Sequence, residues 1–291
     1  MFFGSIPALV TPFTGGRVAE DTFREFIEWQ IAEGSNGLVP CGTTGEVATL
    51  TSDEHRHVVA AAVEAAKGRV PVIAGAGTYD TAASIERARA AADVGADAVL
   101  VVVPYYNKPS QAGLAAHFTA IADASPLPIV VYNVPSRTVA DISVETLATI
   151  ARHPKIVAVK DATGNLGRVS AQRLACGEDF CQLSGNDDMA LGFNAMGGVG
   201  CVSVTANVAP ELCSDFQKAM REGRWDDALK LQDRLYPLHA ALFTDSSPGP
   251  TKYALTRVRS GFPAELRLPL VEASDASKRA VDAALEHAGL I

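Results

Sequence analysis

Short apolar runs alternate with amphipathic helical patterns along most of this chain, and that alternation limits the fold more than any other feature. The runs lie at 6–10, 37–40, 70–74, 98–103, 128–132, 156–160, 180–184 and 200–204. Helical patterns follow near 21–33, from Thr51 onward, near 81–93, 111–123, 144–152 and 166–176, up to about 196, and near 209–221. In the first, Phe23, Phe26, Ile27 and Ile31 share one face; in the second, Thr51 and Glu54 have capping-box spacing and Val58, Val59, Ala62 and Val63 face inward. Runs such as Ile156-Val157-Ala158-Val159 have no polar alternation, as expected of strands buried on both faces of a parallel sheet. Eight strand–helix units in about 220 residues fit an α/β fold of the (β/α)8 TIM-barrel type, for which roughly 250 residues are typical. Residues 1–222 are read as this barrel. From Trp225 on there are three helical patterns and no strand, with Pro248 and Pro250 as breaks and Ser274 placed to cap the last helix. Residues 223–291 are therefore expected to form a C-terminal helical appendage packed on the barrel. A doubly wound sheet is the competing architecture, but no G-x-G-x-x-G follows the first strand.

The net charge of −8, with pI near 5.3, argues against nucleic acid or an anionic membrane as partner. An anionic substrate would have to meet locally placed cations. Five cysteines without a C-x-x-C pair read as reduced thiols, not as a disulfide framework or a zinc site. The apolar run from Met1 to Val10 has no positive n-region and leads into Thr11-Pro12, so it reads as a first strand and not as a signal peptide. No run approaches transmembrane length. These features suit a soluble, cytoplasmic protein.

In a (β/α)8 barrel the chemistry sits at the C-terminal ends of the strands and in the loops after them. Here those positions carry Thr43 and Thr44, Tyr105 and Tyr106, Tyr132, Arg137, Lys160, the turn Gly185 to Asp188, and Val202 with Ser203. Lys160 ends an apolar run, where an ammonium must be paired, solvated or used. Burial lowers the pKa of an amine and frees it to attack a carbonyl. Tyr132 ends the preceding strand, so the two are expected to be neighbours at about one strand spacing, 4.8 Å. A phenol can deliver and remove the protons that imine formation requires. Plainer readings stand beside these. Lys160 could snorkel or pair with Asp161, Tyr132 could cap the core, and Arg137 could be a solvated surface residue. The glycine-flanked Thr43-Thr44 loop could be an ordinary turn, or could hold a carboxylate by hydroxyl and N–H groups. Asp187 and Asp188 read as caps of the following helix, not as metal ligands. No His/Asp/Glu set falls at the strand ends, which disfavours a metal-dependent aldolase; neither metal nor cofactor is expected.

Six segments in register carry a wider resemblance. They are Gly42-Thr43-Thr44-Gly45-Glu46, Pro104-Tyr105-Tyr106-Asn107-Lys108-Pro109, Tyr132-Asn133-Val134-Pro135-Ser136-Arg137-Thr138, Val159-Lys160-Asp161-Ala162-Thr163-Gly164, Ser184-Gly185-Asn186-Asp187 and Val202-Ser203-Val204-Thr205-Ala206-Asn207. In these the chain resembles the dihydrodipicolinate synthase / N-acetylneuraminate lyase family over the whole barrel. The resemblance implies that Lys160 forms a Schiff base with pyruvate and that Tyr132 is the proton donor and acceptor. Thr43 and Tyr106 would complete a hydroxyl relay, with Tyr106 supplied across a tight dimer interface. It further implies that Thr44 and the backbone near Val202 hold the pyruvate carboxylate, with Gly185 in the substrate site. Arg137 would bind the carboxylate of L-aspartate 4-semialdehyde. A homo-oligomer, commonly a tetramer built as a dimer of dimers, goes with this reading, as does a role in lysine and diaminopimelate biosynthesis.

One departure from the family pattern bears on regulation. Lysine-inhibited members have a histidine, an asparagine and a glutamate where this chain has Ser52, Tyr79 and Ala83, although His55 and Tyr105 are retained. The resemblance therefore implies weak or absent inhibition by lysine. The alternatives at this stage are a 2-keto-3-deoxy sugar-acid aldolase or N-acetylneuraminate lyase of the same family, and a catalytically inactive metabolite-binding barrel.

Overall fold

Strands buried on both faces can be stable only if a layer of side chains covers each face, and two separate apolar clusters do this here. The computed structural model describes residues 2–291; Met1, the first residue of the apolar N-terminal run, lies outside them. The parallel strands are β1 (Gly4–Pro7), β4 (Ile73–Gly75), β5 (Ala98–Val102), β6 (Ile129–Asn133), β7 (Ile156–Asp161), β8 (Cys181–Ser184) and β9 (Gly200–Ser203). Their order is β1-β9-β8-β7-β6-β5-β4. The expected second strand is reduced to the bridging residues Leu38 and Val39, which pair with Val72 and Ala8. The Leu9 N–H donates to the Val39 carbonyl at 2.9 Å and the Ile73 N–H to the Leu38 carbonyl at 2.8 Å. Those bonds close the sheet into the eight-membered ring read from the sequence, and leave no open edge between β1 and β4.

The period-2 alternation of each strand divides its side chains between the two layers. Ile129 and Val131 of β6, and Val159 of β7, face the surrounding helices, whereas Val130, Tyr132 and Ala158 face the barrel interior. A register shift between Ile129 and Val130 breaks the alternation at the start of β7, where Ile156 also faces the helices. The outer layer is met by α1 (Glu20–Ala32), α2 (Ser52–Ala66), α3 (Thr81–Asp93), α4 (Gln111–Ala124), α6 (Val144–Ile150), α7 (Gly167–Cys176), α8 (Ala190–Ala195) and α9 (Pro210–Arg221). The capping box of α2 is present: the Glu54 N–H donates to the Thr51 hydroxyl, and the Thr51 N–H to the Glu54 carboxylate. Two elements escaped the sequence reading. One is a hairpin of β2 (Phe13–Thr14) and β3 (Arg17–Val18), too short to show a period; the other is α5 (Pro135–Thr138), a single turn begun by a proline.

The C-terminal part forms α10 (Trp225–Ala241), α11 (Gly249–Val258) and α12 (Asp275–Ala288). Ser274 caps α12, accepting from the Ser277 N–H at 3.2 Å. Pro248 and Pro250, expected as breaks, stand at the start of α11, where a missing N–H costs nothing. Ala228, Leu235, Leu238, Leu255 and Leu285 from these helices join the same apolar cluster as Phe26 and Phe216. Among the described residues, no helix is long and apolar enough to cross a membrane.

Candidate active site

Ladder register brings the two chemical groups together. Tyr132 of β6 and Lys160 of β7 are direct partners across the sheet, and both side chains turn into the barrel because their neighbours Val131 and Val159 turn out. The Lys160 Nζ lies 4.1 Å from the centroid of the Tyr132 ring, a cation–π distance. Lys160 is 6% exposed and Tyr132 7%, so the amine is under cover and has not snorkelled into solvent. Asp161 does not pair with it. Being next in the strand, Asp161 faces the helices, and its carboxylate accepts from the Thr163 N–H (2.9 Å), Arg168 Nε (3.2 Å) and Gln172 Nε2 (2.7 Å). Among the described residues, Lys160 has no carboxylate partner.

Gly185 explains how the lysine stem fits. A Cβ built on Gly185 would lie 2.7 Å from the Cβ of Ala162 and 3.2 Å from the Cε of Lys160. Its N–H donates to the Asp161 carbonyl at 2.7 Å, which holds the turn after β8 against the end of β7. The glycine is thus required chiefly by the close approach of Ala162, and it also leaves the Lys160 stem its space.

Above these residues a cavity of about 490 Å³ opens at the C-terminal end of the barrel. Lys160, Tyr132, Thr43, Thr44, Arg137 and Gly185 all line it. Thr44 is buried and Thr43 exposed, and the loop that carries them is bounded by Cys41 and Glu46, both at positive φ. Arg137 is exposed on α5 and, among the described residues, makes no ion pair and no side-chain hydrogen bond. A guanidinium on a cavity wall without an internal partner is free to bind a carboxylate with two parallel bonds.

Two predicted residues lie elsewhere. Val202 of β9 packs inside the barrel below the cavity at 1% exposure, and Val204 lines the cavity in its place. Val204 stands one residue past the end of β9, where the backbone has turned helical (φ −84°, ψ −40°), so it leaves the strand's interior face and meets the opening. Tyr106 is 91% exposed, holds φ at +70°, and does not reach this chain's own cavity. One assignment is corrected. Asp187 does not cap α8; its carboxylate accepts from the Ser203 hydroxyl and from the Val204 N–H at 2.8 Å, which locks the turn after β8 to the end of β9.

The sequence reading missed the far wall, formed by Tyr236, His239, Ala240, Phe243 and Ser247 from α10 and the segment after it. Tyr236, Ala240 and Phe243 have the i, i+4, i+7 spacing of one helical face, which is a readable signal, but the spacing does not say what the face meets. The His239 Nδ1 lies 2.8 Å from the Thr205 hydroxyl. Burial lowers the pKa of this histidine, opposed by Asp187 and Asp188. His55, also on the sequence's regulatory list, is buried with its Nε2 at 2.6 Å from the Gly75 carbonyl.

Comparison with known proteins agrees with this geometry. The profile of the "Dihydrodipicolinate synthetase family" matches residues 1–288. The chain is 66% identical over 291 residues to the 4-hydroxy-tetrahydrodipicolinate synthase of Zymomonas mobilis, with 100% of both chains covered. It is 65% identical over 290 residues to the enzyme of the same name from Rhizorhabdus wittichii, again with 100% of both covered. Among solved structures, the chloride-inhibited dihydrodipicolinate synthase from Acinetobacter baumannii, crystallised with pyruvate, superposes with a TM-score of 0.97 at 40% identity over 100% of both chains. A curled parallel sheet ending in a lysine–tyrosine pair, together with full-length identity at this level, means that the chain belongs to the dihydrodipicolinate synthetase family.

Proposed function

We propose that this chain is a pyruvate-dependent 4-hydroxy-tetrahydrodipicolinate synthase, condensing pyruvate with L-aspartate 4-semialdehyde in lysine and diaminopimelate biosynthesis. The observation that carries this is the Lys160–Tyr132 pair, side by side on adjacent strands at the base of a cavity of about 490 Å³. The Lys160 amine attacks the ketone of pyruvate, and loss of water from the carbinolamine leaves a protonated imine. Tyr132, with Thr43 and the Tyr106 of a second subunit, carries the protons of these steps. The imine nitrogen draws electrons from the methyl carbon, which loses a proton to give an enamine. The enamine carbon attacks the aldehyde of the second substrate, whose amine then closes on the imine carbon and releases Lys160. Thr44 and the backbone above Val202 hold the pyruvate carboxylate, with Gly185 leaving room for the lysine stem. Arg137 takes the carboxylate of the semialdehyde.

The exposure of Tyr106 and its distance from its own cavity favour a dimer in which each subunit completes the other's relay, within a tetramer built as a dimer of dimers. A cytoplasmic location fits the acidic charge and the five free cysteines. In this reading residues 1–222 are the catalytic barrel, and residues 223–291 pack on it and close one wall of the cavity. Inhibition by lysine is expected to be weak or absent. The exposed Tyr79 ring stacks edge-on against Tyr105 at 5.4 Å, and Ala83 has no group to bind an ammonium. An inhibition curve with half-inhibition below about 1 mM would be incompatible with that expectation.

Borohydride trapping with pyruvate, followed by intact-mass spectrometry and peptide mapping, tests the mechanism. A pyruvate-sized adduct on Lys160 is expected, and its absence from folded protein would favour the inactive metabolite-binding barrel. Offering aspartate semialdehyde beside 2-keto-3-deoxy sugar acids and N-acetylneuraminate then separates the synthase from its aldolase and lyase relatives. The unpaired Arg137 favours the dicarboxylate-forming reaction.

A further inference from the structure

The loop carrying Thr43 and Thr44 is held by an ion pair that the reaction scheme does not use. Glu46, two residues beyond Thr44, and Lys252 of α11 meet at 2.5 Å, and both side chains are 0% exposed. The second carboxylate oxygen of Glu46 accepts from the Arg267 N–H at 3.0 Å. The ammonium of Lys252 also donates to the Glu265 carbonyl at 2.7 Å and sits 4.4 Å from the centroid of Phe13. Burial lowers the pKa of Lys252, and Glu46 opposes the shift. Neither residue lines the cavity. Each is close in sequence to one that does: Glu46 to Thr44, and Lys252 to Ser247, which stands five residues before it.

A buried ion pair is poor evidence for stability, because desolvating two charges costs about as much as their attraction returns, and apolar replacements are often neutral. What such a pair does provide is direction, since the two charges must meet at one point. Here that point joins segments 206 residues apart, one continuing the Thr43–Thr44 loop and the other following Ser247, both of which line the cavity. We propose that Glu46 and Lys252 form a positioning pair that sets the Thr43–Thr44 loop against the wall around Ser247. The pair touches neither substrate nor Lys160, and acts by fixing where the threonine groups meet the pyruvate carboxylate. This inference rests on the pyruvate reading above.

The test uses the full-length protein and two variants. Glu46→Leu with Lys252→Met removes both charges while keeping apolar volume; Glu46→Gln keeps the shape and the bond from the Arg267 N–H but weakens the tie. The readouts are the pyruvate concentration giving half-maximal borohydride trapping at Lys160, and thermal unfolding. In the double variant the half-saturating concentration is expected to rise about tenfold, with trapping at saturating pyruvate retained, because a loop displaced by a fraction of an ångström weakens binding without removing the nucleophile. Glu46→Gln is expected to give about a threefold rise by the same effect. If a variant is folded and keeps the original half-saturation, the pair is structural only and the proposal fails. If the double variant does not fold, the Glu46→Gln value decides alone. If the unaltered protein traps no pyruvate, the pyruvate reading itself fails, an outcome distinct from either variant result.

Discussion

Lys160 and Tyr132 stand on adjacent strands, whereas Thr43 and Thr44 stand on a loop and Arg137 on the single helical turn α5, both in the connections that follow strands. The first two are aimed by the sheet: Val131 and Val159 pair directly below them, and the alternation of the ladder turns both side chains into the barrel. The loop groups have no ladder. Their connections are held instead by side-chain hydrogen bonds and an ion pair, some from distant parts of the chain. The Thr11 hydroxyl donates to the Gly45 carbonyl at 2.8 Å, and the Glu46 carboxylate meets Lys252. The loop after β6 is pinned by Asn133, which donates to Asp141 at 2.7 Å and accepts from the Ile142 N–H at 3.3 Å. Lys160, the proposed nucleophile, is thus mounted on a strand hydrogen-bonded on both sides. The groups proposed to recognise substrate sit where local substitutions can change specificity without disturbing the sheet.

Four substitutions can break or sharpen that contrast, beginning with the largest effect. Lys160→Ala should abolish the pyruvate adduct by intact mass and lower turnover at least about a thousandfold, since no covalent intermediate can form. Turnover within tenfold of the original would mean that the strand-borne half is not the chemical half. Gly185→Ala should cost about a hundredfold in the rate of adduct trapping. The new methyl would press on Ala162 and the Lys160 Cε, and small displacements of a reacting atom carry that order of penalty. An unchanged trapping rate would show that the lysine stem has room to move.

Arg137→Ala, on the loop-borne side, should lower kcat/KM for aspartate semialdehyde by roughly ten- to a hundredfold, the loss of a bidentate charged contact, while pyruvate trapping stays normal. If both substrates suffered equally, Arg137 would be shaping the loop and not binding the second carboxylate. Glu54→Gln should have the smallest effect. Arg267 beside Glu54 holds its carboxyl at about 2, well below the ordinary 4.5. The ionised form is therefore favoured by folding, and its contribution, about 1 kcal/mol for a partly exposed charged hydrogen bond, is complete above pH 4.5 and fades as pH falls toward 2. Urea midpoints of the two proteins should differ at neutral pH and converge in acid; a gap that persisted at low pH would refute this account.

The start of α2 shows the boundary between what was legible in the chain and what was not. Thr51 and Glu54 announce their capping box by a spacing of three, and both partners are found in place. That Glu54 also binds Arg267, at 2.7 Å, has no local signature because 213 residues intervene. The same holds for Asp187. Its position suggests a helix cap, and only the arrival of β9 beside β8 supplies the Ser203 and Val204 groups that it actually binds.

The sequence by itself determined the alternation of strand and helix, the placement of Lys160 and Tyr132 at neighbouring strand ends, and the glycine-flanked threonine loop. Each of these is a pattern of short period, imposed by backbone geometry within a few residues. The tertiary structure alone decided that the expected second strand would shrink to Leu38 and Val39, that α10 and the segment after it would wall the cavity with Tyr236 and Phe243, and that Lys252 would end beside Glu46. It also decided that Val204, and not Val202, meets the opening. These depend on which distant surfaces come together when the barrel closes, and burial energy rewards apolar contact in proportion to area without specifying the partner.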